Sequence, residues 1–97
     1  MFQKLTRIEE RFREVETLLA DPKTLANPKE MQKLARERAE ISRLVETFQA
    51  YKKVQEGIQE SQELLQESDE EMRELAKVEL QTLKERQVSL EEELKLL

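Results

Sequence analysis

The sequence predicts an all-α protein, an elongated three-helix antiparallel coiled-coil bundle, and three observations lead there. Of its 97 residues, 40% are charged and 37% hydrophobic. The usual shares are about 25% charged and about 45–50% apolar. Only one Gly and two Pro are present. That is too few for the turns a β architecture needs about every 8–12 residues, and too few for a disordered chain. Apolar residues instead recur at steps of three and four over long stretches, the spacing of one stripe on a helix.

Before the first interruption, Leu5, Ile8, Phe12, Val15 and Leu19 step by 3, 4, 3 and 4, with Phe2 and Leu18 widening the seam. Arg7, Glu9, Glu10, Arg11, Arg13, Glu14 and Glu16 fill the remaining positions and read as solvated. The first helix therefore covers about residues 2–20, about 28 Å at ~1.5 Å per residue.

Asp21-Pro22-Lys23-Thr24-Leu25-Ala26-Asn27-Pro28 is the sharp corner, because each proline biases the residue before it away from the helical region. The second helix announces itself with Asn27 as N-cap, Pro28 at the first helical position and Glu30 as capping-box partner. It runs over about residues 28–66. Its seam is Met31, Leu34, Ile41, Leu44, Val45, Phe48, Tyr51, Val54, Ile58 and Leu65. Arg38 falls where an apolar residue is expected, and its stem can cover the seam while the guanidinium reaches water. Gly57 is either simply tolerated, at a cost of about 1 kcal/mol against Ala, or marks a close helix contact.

Glu67-Ser68-Asp69 is a weaker break, without Gly or Pro. Ser68 and Glu71 form a Ser-x-x-Glu capping box, and acidic residues crowd the positive end of the helix dipole. The third helix covers about residues 69–96, with Met72, Leu75, Ala76, Leu80, Leu83, Leu90, Leu94 and Leu97 as its apolar positions. Gln87 interrupts that seam; it either pins register or faces solvent.

Short connections favour antiparallel neighbours. The first helix should fold onto the N-terminal part of the second, and the third along its whole length. The first helix is too short to follow the second to its far end. The region of Val54 to Leu65 and Met72 to Leu80 is then closer to a two-helix hairpin. Its exposed apolar positions make it a candidate for docking or for weak self-association through the helix 2/helix 3 hairpin.

The absent residue types bound the chemistry. With no His and no Cys, there is no Cys/His zinc site, no Ser-His or Cys-His nucleophile pair and no disulfide. One Gly cannot build a phosphate-cradling loop. Carboxylates are plentiful, but a narrow seam of Leu and Ile offers no cleft to raise one pKa, and the Glu-x-x-His motifs of di-iron bundles need His. No catalysis, cofactor, metal or small-molecule substrate is expected. The start, Met1-Phe2-Gln3-Lys4, lacks the apolar core of a signal peptide, and no stretch approaches the ~18 apolar residues of a membrane span. A cytoplasmic protein away from membranes is the expectation.

The formal net charge of −5 hides an asymmetry: residues 1–53 carry 12 Lys/Arg against 9 Asp/Glu, and residues 54–97 carry 5 against 13. Such a dipolar chain is no nucleic-acid wrapper. Lys33, Arg36, Arg38 and Arg43 resemble a basic stripe, interrupted at helical spacing by Glu37 and Glu40. Ion pairing along the helix accounts for it without RNA. Alternatively, Lys33, Arg36 and Arg43 contact the ribosome or RNA.

Taken in order, Leu18-Leu19-Ala20-Asp21-Pro22, Asn27-Pro28-Lys29-Glu30 and Leu34-Ala35-Arg36-Glu37 resemble the amino-terminal domain of bacterial class-I peptide chain release factors. The resemblance continues through Tyr51-Lys52-Lys53, Glu63-Leu64-Leu65 and, most specifically, Glu71-Met72-Arg73-Glu74-Leu75-Ala76-Lys77. The short Asp-Pro to Asn-Pro linker is more similar to the UAA/UAG-reading branch than to the UAA/UGA-reading one, whose linker typically carries aromatic residues. The resemblance implies a helical arm apart from the decoding core. In the family it approaches the stalk base of the large ribosomal subunit and influences the class-II release-factor GTPase. Family members hydrolyse peptidyl-tRNA with a Gly-Gly-Gln motif, and no Gly-Gly occurs here, so no catalytic role is carried over. Residues 1–97 are expected to be one helical domain of a longer factor that carries the codon-reading and Gly-Gly-Gln domains elsewhere. A free-standing coiled-coil scaffold or chaperone-like arm is the alternative reading.

Overall fold

In a computed structural model, which describes residues 2–97, every element is helical: α1 (Phe2–Leu19), α2 (Pro22–Leu25), α3 (Pro28–Leu64) and α4 (Glu70–Leu96). The three long helices lie within two residues of the bounds expected from periodicity. The additional element is α2, a single turn inside the stretch read as a corner. Both prolines start helices. Pro22 opens α2 behind the extended Asp21 (φ −77°, ψ 127°), whose carboxylate accepts from Lys23 N, and Pro28 opens α3. The missing N–H of proline is harmless at a first helical position, where no intrahelical acceptor exists.

Asn27 caps α3, its Oδ1 accepting from Glu30 N at 3.3 Å. The reciprocal half of the expected box is taken by the backbone, because Asn27 N donates to Thr24 O at 2.9 Å. At the second break the cap sits one residue later than expected. Asp69, not Ser68, accepts from Glu71 N and Met72 N at the start of α4. The carbonyls of Glu67 and Ser68 both accept from Arg73 Nη1, at 2.8 and 2.9 Å. This clasp replaces the glycine that such a corner often uses, and no described residue has a positive φ.

The chain divides into two compact units, residues 1–46 and 47–97. In unit 1, α1 folds back on the first part of α3 and buries Leu5, Val15 and Leu34, with Val45 further along. Arg11 and Glu37 pair across the two helices, as do Glu16 and Arg38 at 3.3 Å. The Arg38 guanidinium lies 5.1 Å from the centroid of the Phe12 ring, so its head is held against α1. Glu9, read as a solvated position, is only 4% exposed. Arg13 Nη2 stands 3.6 Å from its carboxylate, and charge pairing of this kind is what makes a buried carboxylate tolerable.

Unit 2 is an antiparallel hairpin of α4 against the Thr47–Leu64 segment of α3. Its register is read from two contacts. Tyr51 Oη donates to Glu91 Oε1 at 3.3 Å, and Gly57 lies against Leu83. Phe48, Tyr51, Val54, Ala76, Leu90 and Leu94 are buried, along with the hydroxyl-bearing Thr47 and Ser61. The steps of three from Phe48 to Tyr51 to Val54 shift the stripe by about 60° each around the helix, and Ser61 ends up on its floor. The third helix, expected along the whole of the second, packs in this unit on Thr47–Leu64. Gln87 is half-buried within the hairpin.

Candidate interaction surfaces

Two surfaces stand out, one in each unit. On α3 in unit 1, Lys33, Arg36 and Arg43 are all exposed. Their spacing of three and seven residues places them within an arc of about 80° on one side of the helix, spread over about 15 Å. Leu34 and Val45 point the other way, into the core. Lys29, four residues before Lys33, extends the stripe, and Glu40 sits within it. Reading from sequence missed Lys29, although its i,i+4 spacing to Lys33 carried the signal.

One of the two carboxylates that interrupt this stripe is engaged across the helices. Glu37 turns to Arg11 on α1, bonded at Nε and Nη2, the latter at 2.9 Å. That hydrogen bond holds the Glu37 carboxyl below the usual carboxylate range, with a smaller contribution from the charge of Lys33. The same contact raises the Arg11 guanidinium above its already high value. Lys29, Arg36 and Glu40 have no ion-pair partner among the described residues. Arg38, the fourth member of the basic run, leaves the stripe for Phe12 and Glu16.

The second surface lies where α3 ends and α4 begins. Leu64, Met72 and Leu75 line a shallow groove with Ser61, Ala76 and Glu79. Ser61 and Ala76 are its buried floor, and Leu75 is 71% exposed. Adjacent to it, a second concavity is lined by Glu70, Glu71, Glu74 and again Leu75. Periodicity placed Leu75 beside Ala76 among the apolar positions, yet only Ala76 turns towards α3, because adjacent residues diverge by about 100° around a helix.

No group of three or more Asp or Glu among the described residues is placed to hold a metal ion, and no described helix is long and apolar enough to cross a membrane.

Comparison with known proteins gives these surfaces a context. The PCRF domain family matches residues 8–97. Over 97 residues the chain is 48% identical to "Peptide chain release factor 1" of Geotalea uraniireducens, covering 100% of this chain and 27% of that protein. The same comparison with Geobacter sulfurreducens gives 45% identity and the same coverage. Over 98 residues, the Listeria welshimeri protein of that name is 44% identical, again with 27% of its length covered. The chain thus spans about a quarter of the length of these relatives. No solved structure matches it.

Proposed function

The chain belongs to the PCRF domain family, and from that premise we propose that it is the non-catalytic N-terminal domain of a peptide chain release factor, acting in stop-codon-dependent translation termination on the ribosome. The observation that carries this reading is 48% identity to a protein called peptide chain release factor 1 over the whole of this chain. In this reading, residues 1–97 form one helical domain of a longer cytoplasmic factor whose codon-reading and Gly-Gly-Gln domains lie elsewhere. The domain approaches the stalk base of the large subunit and affects recycling by the class-II release-factor GTPase. Lys33, Arg36 and Arg43 supply the ribosomal RNA contact. An exposed row of cations on one helix face is suited to phosphates, and each neutralised phosphate adds to the salt dependence of binding.

The experiment uses the longer factor with and without residues 1–97. Deletion should leave peptide release from stop-programmed ribosomes measurable and abolish the acceleration of factor turnover by the GTPase. A deleted factor that responds normally to the GTPase defeats the regulatory part of the proposal. In the intact factor, Lys33→Gln, Arg36→Gln and Arg43→Gln together should weaken ribosome binding and flatten its salt dependence. An unchanged salt slope removes these three residues from the interface.

A further inference from the structure

We infer that the Leu64–Met72–Leu75 groove of unit 2 receives a cationic amphipathic helix from another protein, its apolar side chains over the groove and its Lys or Arg residues on Glu70 and Glu71. The inference rests on unit 2 alone and not on the termination reading.

The groove is mostly apolar. Met72 is 42% and Leu75 71% exposed, Leu64 closes the other side, and Glu79 adds a carboxylate to the wall. A two-helix hairpin has two helices' worth of apolar edge and only one mutual contact, so one flank stays uncovered. A third helix lying along that flank is the packing that covers it. Methionine suits such a place, since its unbranched thioether adapts to an incoming side chain.

Charge selects the occupant. Residues 54–79 carry nine Asp/Glu and two Lys/Arg. Both cations are already engaged: Arg73 binds the Glu67 and Ser68 carbonyls, and Lys77 Nζ lies 3.1 Å from Glu74. Glu70 and Glu71 have no ion pair among the described residues. They line the concavity that shares Leu75 with the groove. A second copy of this chain would bring the same acidic rim against this one, because a two-fold interface pairs a patch with itself. Nucleic acid is repelled by the same carboxylates. A helix with an apolar stripe flanked by Lys or Arg satisfies both parts of the surface at once.

The test titrates the whole chain with three synthetic 18-residue peptides. The first has a Leu stripe at helical spacing flanked by Lys, the second replaces Lys by Glu, and the third keeps Lys and replaces Leu by Ser. The first should bind at least tenfold tighter than either of the others. Leu75→Asn, and Glu70→Gln with Glu71→Gln, should each weaken it at least tenfold. Glu85→Gln with Glu92→Gln, elsewhere on α4, should change it less than twofold. All substituted residues are exposed, so helix content by circular dichroism should stay constant. Equal binding of the Ser peptide, or full binding by Leu75→Asn, overturns the inference by reducing it to general charge attraction. A dimer seen by sedimentation and dispersed by Leu75→Asn also overturns it, by assigning the groove to a second copy.

Discussion

Arg11 on α1 clasps Glu37 on α3 through two parallel hydrogen bonds, 26 residues apart in the chain, while its Nη1 also reaches Glu14 at 3.0 Å. The fork of the guanidinium matches the two carboxylate oxygens, which makes this the best-defined polar contact in unit 1.

That clasp predicts an acid-sensitive contribution to folding. The Glu37 carboxyl is held below its ordinary pKa by Arg11. Its stabilisation is therefore complete above the ordinary carboxylate pKa of about 4.3 and is lost as pH falls through the depressed folded value. Urea unfolding of the native chain and of Glu37→Gln should differ by a constant amount near neutrality, and the curves should converge on acidification. The gap should also shrink in high salt, since the pair is solvent-accessible. A gap that persists in acid would assign the effect to packing.

Gly57 marks a close contact, the second of the two readings its sequence left open. A Cβ built there would lie 2.9 Å from Leu83 Cδ1, the mobile end of a half-buried side chain. Gly57→Ala gains about 1 kcal/mol of helix propensity and costs about 0.5–1.5 kcal/mol to move Leu83 off its rotamer. Urea titration should show it close to neutral. In a Leu83→Ala background the propensity gain should appear in full. Gly57→Leu should instead cost about 1–3 kcal/mol by overpacking.

The α4 cap is tested by two neighbouring substitutions. Asp69→Ala should destabilise by about 0.5–2 kcal/mol, the range for losing a helix N-cap. Ser68→Ala should stay within about 0.5 kcal/mol of the native chain. Reversed magnitudes would return the cap to Ser68. Thermal unfolding followed by circular dichroism is sufficient for both.

Arg38 and Phe12 predict a measurable coupling. With the guanidinium 5.1 Å from the ring centroid, a double-mutant cycle of Arg38→Met and Phe12→Leu should return about 0.5–1 kcal/mol. A coupling near zero would leave Arg38 as a seam cover acting through its stem alone.

Much of this architecture is legible in the residues themselves. Steps of three and four gave three long helices nearly to the residue, and Asn27-Pro28 marked the start of α3. The row of Lys33, Arg36 and Arg43 was legible too, because residues three, four and seven apart share a helix face whatever surrounds them. These are properties of a helix on its own.

Other features needed the tertiary structure, since periodicity says which residues share a face and not which face is covered. Glu9 lies among charged neighbours in the sequence and is buried by the packing around α1. Leu75 belongs to the apolar text of α4 and stands in solvent, because α3 meets Ala76 instead. Glu37 could pair with Lys33 on its own helix or with Arg11, and the approach of α1 decided for Arg11. The amino-acid order determined the helices and their stripes through local backbone geometry. Which stripes are buried, and which charges remain available, was decided by contacts between residues far apart in the chain, where desolvation and side-chain reach take over from local geometry.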